Sequence, residues 1–309
     1  LHAMTSSDVT MFLVASMNDK DFRNLMHVYL DAVFFPKIYD DSRIFKQEAW
    51  HHELTSKDAP VQYKGVVYNE MKGAYSSPSR ELGYHIDKNL FPDNTYGYSS
   101  GGHPEAIPDL TYDQFINFHK KYYHPENSYL YLYGNSDLDS DLAFINQEYL
   151  SKFERQDKKV SIRLQEPFEQ MKDVVEYYPV AQTADTENKT FLTMDWVTGK
   201  GADQQMQFKM SLLAEALVNH ESGPVKLALQ EAGIGRDIGA YYSSNKQGVF
   251  QLNVRNANLE DKEKFHQIVE QTLEKVAEEG IDREVLTGII NRYEFRLREG
   301  DNAQKGLTY

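Results

Sequence analysis

No cysteine occurs among the 309 residues. That absence excludes a disulfide scaffold, cysteine-ligated zinc and a cysteine nucleophile, and it fits a cytoplasm without forbidding another compartment. No apolar run approaches the roughly 20 residues that cross a bilayer, so no membrane partner is expected. Positive charge is scarce: 33 Lys and Arg against 47 Asp and Glu leave a net charge of −14. Phosphate backbones need a basic face, so no nucleic-acid partner is expected either. The acidity is compatible with basic peptide substrates, although a well-solvated acidic surface is its commoner meaning. Leu1-His2-Ala3-Met4 has neither the basic nor the apolar region of a signal peptide. A start without Met, inside what reads as a strand, is expected of a piece of something longer. No Gly-x-Gly-x-x-Gly follows a strand, so dinucleotide binding is not indicated. Nor do the ten histidines include a His-x-x-Glu-His: His51-His52-Glu53 has the wrong order, and His119 and His124 lack the intervening glutamate.

What is present reads as an α+β protein. At 40% hydrophobic and 26% charged residues, the composition is globular and the length suits about two domains. A β-branched, apolar strand over Val9–Ser16 precedes Asn18, which caps a helix bearing Phe22, Leu25, Met26, Tyr29 and Val33 on one face. Pro36 ends it. Helices are expected over Ser42–Leu54, from about Val61 through Glu70, and over the Leu82-Ile86-Leu90 face. Thr111 caps another, and a strand follows over Ser128–Tyr133. Residues 155–173 are charge-rich and weakly periodic. Beyond them come a strand over Thr190–Val197, a helix over Asp203–Val218, a short helix after Pro224, a hairpin over Ile238–Val254 and two further helices. Strand, helices and strands recur in both halves, which predicts two related units, 1–157 and 181–309, joined by a linker at 158–180.

The informative stretch is Gly65-Val66-Val67-Tyr68-Asn69-Glu70-Met71-Lys72-Gly73. A carboxylate on a helix entered from an apolar run suits the last ligand of a tetrahedral zinc centre with one open position. A solvated glutamate, or one paired with Arg or Lys, fits the spacing as well. Val67 and Tyr68 predict partial burial, which would raise the cost of leaving Glu70 unpaired. Glu48 and His52 stand at i, i+4 and could meet on one helical face, but Phe45 and Trp50 favour a helix that turns its polar residues outward. His119, Tyr122, Tyr123 and His124 read as a structural cluster at a helix end. Ser100-Gly101-Gly102 and Gly233-Ile234-Gly235 read as turns.

Taken together, several blocks resemble one family. Ala3-Met4-Thr5-Ser6-Ser7-Asp8, the helix 21–35, Lys64–Gly73, Ser100-Gly101-Gly102, Phe118–Pro125 and Tyr133-Gly134-Asn135 are similar, in order, to the presequence-protease and falcilysin branch of the insulinase (pitrilysin) zinc metallopeptidases. Ser222-Gly223-Pro224 and Glu294–Glu299 match more loosely. The resemblance extends over all 309 residues, which would be about the second quarter to third of a member. It implies two homologous α/β sandwich units of antiparallel-rich sheet packed with helices, both truncated. It implies a zinc-dependent endopeptidase degrading unstructured oligopeptides in a closing chamber, where zinc activates water and polarises the scissile carbonyl. Carried over, Glu70 is the third zinc ligand, while two histidines and the catalytic base would lie shortly before Leu1. Peptide substrate would add as a strand along Leu1–Thr5, making His2, Ala3, Met4 and Thr5 its contacts. Members usually have Asn where His2 stands and often proline where Leu13 stands. By itself, the chain is expected to hold no firm zinc, to be inactive, and to associate with its missing parts or with itself through exposed faces. The alternative is a non-catalytic member serving peptide binding or assembly. A bacterial cytoplasm is favoured over an organelle.

Overall fold

The computed structural model describes residues 2–156 and 160–299. The chain divides into two compact units, Leu1–Arg163 and Leu164–Tyr309.

In the first unit, β1 (Ala3–Thr5) pairs antiparallel with β2 (Thr10–Phe12), setting Met4 opposite Met11. The expected strand over Val9–Ser16 thus contributes three residues to a ladder. Asn18 caps α1 (Asp19–Phe34) by accepting a 3.0 Å bond from the Asp21 N–H. The helix buries Met26, Leu30 and Phe34 against Ile145 and Tyr149, with Phe22 and Val33 alongside. The apolar stripe therefore faces inward at helical spacing.

The helix expected over Ser42–Leu54 is shorter than its sequence pattern. α2 (Arg43–Glu48) stops, and β3 (His51–Glu53) pairs with β4 (Gln62–Lys64), placing His52 opposite Tyr63. The Trp50 indole donates to the Leu110 carbonyl at 2.9 Å. That bond and the hairpin hold the chain extended where periodicity alone predicts helix. α3 (Val66–Ala74) follows, then α4 (Pro78–Leu90), α5 (Tyr112–Tyr122) and α6 (Leu138–Glu148). A reciprocal capping box between Thr111 and Gln114 opens α5. Ser128–Tyr133, expected as a strand, joins no ladder among the described residues. Leu132 packs on the α1 cluster while Tyr129, Tyr131 and Tyr133 stand exposed. β-prone composition makes a strand only where a partner edge accepts its hydrogen bonds.

The second unit is built on one three-stranded antiparallel sheet of order β5-β7-β6, from β5 (Thr190–Lys200), β6 (Asp237–Ser244) and β7 (Gln247–Ala257). Asp203 caps α7 (Gln204–Ala214), which continues as a π turn over Glu215–Asn219. α8 (Pro224–Glu231), α9 (Lys262–Glu279) and α10 (Arg283–Glu299) complete the unit. Leu192, Leu252 and Val254 of the sheet meet Leu217, Val225, Leu229, Phe265 and Val269 of the helical layer in one core. The order β-α-α-β-β-α-α recurs in both units, from β2 and from β5. Strand pairing does not recur, since β5 joins the later hairpin and β2 does not. The unit boundary falls inside the segment read as a linker, and the part beyond it is tied to the second unit. Gln165 and Gln247 exchange two side-chain-to-backbone bonds, and Lys262 pairs with Asp173 at 2.5 Å.

Candidate functional site

Glu70 lies on α3, and that helix is held at both ends. At its start, Gly65 runs so close to Ala49 that a Cβ would strike the Ala49 carbonyl, and the Tyr68 N–H reaches the same oxygen at 3.4 Å. Near its end, Met71 packs on Gly101, where a Cβ would collide with the Met71 sulfur. Gly102 adopts φ 88, a left-handed conformation that favours glycine. The Ser100-Gly101-Gly102 turn is thus a seat for α3. Tyr75, 5% exposed, closes the helix, its ring 4.7 Å from that of His103, which lies 4.6 Å from Tyr84.

Within this frame Val67, Tyr68, Met71 and Ala74 turn inward, whereas Glu70 is exposed. Its carboxylate has no hydrogen-bond or ion-pair partner among the described residues. The burial of its neighbours therefore puts no desolvation cost on Glu70, because water satisfies it. No group of three or more His, Asp or Glu among the described residues could hold a metal ion. A catalytic zinc takes three protein donors, so the described residues alone do not fit a complete zinc site, and Glu70 offers one donor.

The segment singled out as substrate strand, His2, Ala3, Met4 and Thr5, is exposed. Its ladder with β2 uses one edge of β1, and no strand covers the other among the described residues. The His2 N–H donates to the Tyr29 hydroxyl at 3.1 Å.

The other histidine groupings have structural partners. His52 is on β3 and Glu48 ends α2, so they share no helical face. His51 donates from Nδ1 to the Lys46 carbonyl at 2.8 Å, and both histidines line a cleft of about 750 Å³ with Phe45 and Trp50. His119 bridges Tyr39 at 2.7 Å and the Val33 carbonyl at 2.9 Å. The carbonyl bond makes Nε2 the protonated nitrogen and Nδ1 the acceptor of the Tyr39 hydroxyl. Burial pushes the His119 pKa down, which keeps the ring neutral and in this role.

The second unit holds a cleft of about 380 Å³ lined by Lys226, Gln230, Arg236, Asp237, Asn253 and Arg255, among others. Spacing in the sequence does not announce it. Arg236 and Arg255 are nineteen positions apart and meet because Asp237 stands opposite Arg255 in the β6–β7 register.

Residues 109–293 match the family described as "Peptidase M16 inactive domain". The whole chain is 46% identical to Protein HypA of Clostridium perfringens, covering 32% of that protein. It is 39% identical to the chloroplastic/mitochondrial presequence protease 1 of Arabidopsis thaliana, covering 29% of it. The chain thus spans about a third of the length of these relatives. The periplasmic protease PqqL from Escherichia coli shares the fold at TM-score 0.53 and 14% identity, over 93% of this chain and 30% of that one. The match over residues 109–293 identifies the chain as a member of the M16 peptidases, the insulinase (pitrilysin) family that its sequence blocks resemble.

Proposed function

We propose that this chain forms part of a zinc-dependent endopeptidase that degrades unstructured oligopeptides inside a closing chamber, with Glu70 as one of its zinc ligands. The observation that carries the reading is α3 itself. A helix pinned by Gly65 and Gly101 holds an exposed, unpartnered carboxylate outward, in a chain whose relatives include presequence proteases. Two histidine ligands and the catalytic base then come from a His-x-x-Glu-His helix outside this sequence, so the 309 residues alone are inactive and bind zinc weakly. The uncovered edge of β1 supports peptide docking by strand addition at His2, Ala3, Met4 and Thr5. Identity to a clostridial protein supports a bacterial source, and the home proposed for it is a bacterial cytoplasm.

A second reading is favoured by the family description itself, which names an inactive domain. On that reading the chain belongs to a non-catalytic member that binds peptides or serves assembly. The coding sequence upstream of Leu1 separates the two, since only the peptidase keeps His-x-x-Glu-His there. In the longer protein, Glu70→Gln should reduce bound zinc from one per chain to near zero and slow peptide cleavage by about a hundredfold or more, with the circular dichroism unchanged. Undiminished zinc in that variant would sink the ligand assignment.

A further inference from the structure

The 380 Å³ cleft of the second unit collects unused hydrogen-bond donors on a strongly acidic chain. It lies where the Gly233-Ile234-Gly235 turn leads from α8 into β6, with Gly233 at φ 72 and Gly235 at φ 66. A Cβ on Gly235 would collide with Val254, so this tight turn brings Arg236 against β7. The Arg236 N–H then donates to the Arg255 carbonyl at 2.9 Å, which joins the backbones that carry the two guanidinium groups. Lys226 reaches the same cleft from α8.

Each guanidinium offers five N–H donors in a fixed fork, suited to the paired oxygens of a carboxylate or phosphate. The side chains of Arg236 and Arg255 have no hydrogen-bond or ion-pair partner among the described residues, and neither do those of Gln230 and Asn253. Lys226 alone is engaged, at 2.8 Å with Glu221, whose side chain is 88% exposed. The Lys226 side chain is itself only 15% exposed, but its partner's carboxylate stands in water, where a competing anion can replace it. Asp237 is the single carboxylate lining the cleft, and it pairs with neither arginine. Three cations and two amides thus face one carboxylate, in a protein whose overall charge repels anions.

We propose that this cleft is an oxyanion-binding site in which Arg236 and Arg255 grip a carboxylate or phosphate group and Lys226 supplies a third positive charge. The ligand is an oxyanion carried either on a peptide terminus or on free inorganic phosphate. Its recognition owes nothing to Glu70 or to zinc, so the site stands or falls separately from the peptidase reading.

The test titrates the 309-residue chain with three probes: inorganic phosphate, an N-acetylated hexapeptide ending in a free carboxylate, and the same hexapeptide ending in an amide. Binding is read by arginine Nε–Hε resonances and by calorimetry. Saturable binding of phosphate or of the free-acid peptide supports the site and identifies the source by which of the two is tighter. The amide should bind at least tenfold more weakly than the acid. Arg236→Ala combined with Arg255→Ala should weaken binding by tenfold or more, whereas Lys275→Ala combined with Arg298→Ala, which removes two cations from α9 and α10, should leave it unchanged. Raising the salt should weaken binding as the cleft is screened. Absence of saturation with both anions, or equal binding by the double arginine variant with its circular dichroism intact, would overturn the proposal.

Discussion

Gly65 and Gly73 belong to the same Glu70 helix and should answer an alanine substitution in opposite ways. At Gly65 the backbone is extended, so conformation is no obstacle, and the obstacle is the Ala49 carbonyl standing where the Cβ would go. A backbone oxygen cannot rotate aside as a side chain could, so Gly65→Ala must shift α3 and should cost about 1–3 kcal/mol. Gly73 lies in the last turn of α3 with nothing within 4 Å of its would-be Cβ. There alanine removes freedom from the unfolded chain and should stabilise by about 0.5–1 kcal/mol. Urea unfolding followed by Trp50 fluorescence reads both. Equal shifts would mean that α3 is not held against Ala49. This matters for Glu70, because a ligand helix that can slide presents no fixed donor. The sequence alone leaves Glu70 among many helical glutamates. What separates it is the seat beneath it, and that seat depends on Gly65 and Gly101, which are far apart in the sequence.

Helices were the legible elements because their signals are local. Asn18 and Thr111 cap where their side chains predict, and α1 buries the face its spacing marks. Strands were legible only where a partner lies in the chain. The hairpin of β6 and β7 forms near its expected bounds, whereas Ser128–Tyr133 finds no ladder among the described residues and the stretch Ser42–Leu54 gives up His51–Glu53 to a hairpin with Gln62–Lys64. The oxyanion cleft was invisible for the same reason, since β6–β7 register and not spacing makes it. One unpredicted device is the π turn after α7, which carries Asn219 to the free side of β6. Its amide donates to the Ala240 carbonyl at 2.8 Å, and its oxygen accepts the Ala240 N–H at 2.9 Å. Asn219 thereby replaces a neighbouring strand for one residue, and Ala240 is buried at 6% exposure. Asn219→Ala should leave both groups unmet and cost the second unit about 1–3 kcal/mol. Amide exchange at Ala240 should accelerate along with it. Asn219→Asp keeps the acceptor and loses the donor, so an intermediate effect is expected, and an alanine variant with wild-type exchange would contradict the strand-substitute role.

Two units with separate cores make stability a property of each. The core of the second unit joins thirteen buried side chains from sheet and helices, including Leu229, Ile234, Val254 and Val269 at 0% exposure. In the first unit the cluster around α1 joins five, Phe45, Tyr75, Phe91, Tyr96, Ile107 and Ile116 are buried outside it, and among the described residues its strands form two separate two-stranded sheets. Large side chains that a further layer would cover, Met11, Phe12, Tyr129, Tyr131 and Tyr133, remain in water there. Each buried aliphatic side chain contributes about 1.5–3 kcal/mol relative to exposure, so the first unit forgoes stabilisation that the second collects. Tryptophan reports on both, for the chain has two: Trp50, tied to Leu110 in the first unit, and Trp196, packed beside Phe250 in the second. In urea, Trp196→Phe leaves the first unit as the only tryptophan signal, and Trp50→Phe leaves the second. The Trp50 transition should come at the lower denaturant concentration, because the buried residues of the first unit are divided among smaller groups. Coincident midpoints and equal slopes would show instead that the chain unfolds as one cooperative body, and the smaller core would then owe its survival to the larger.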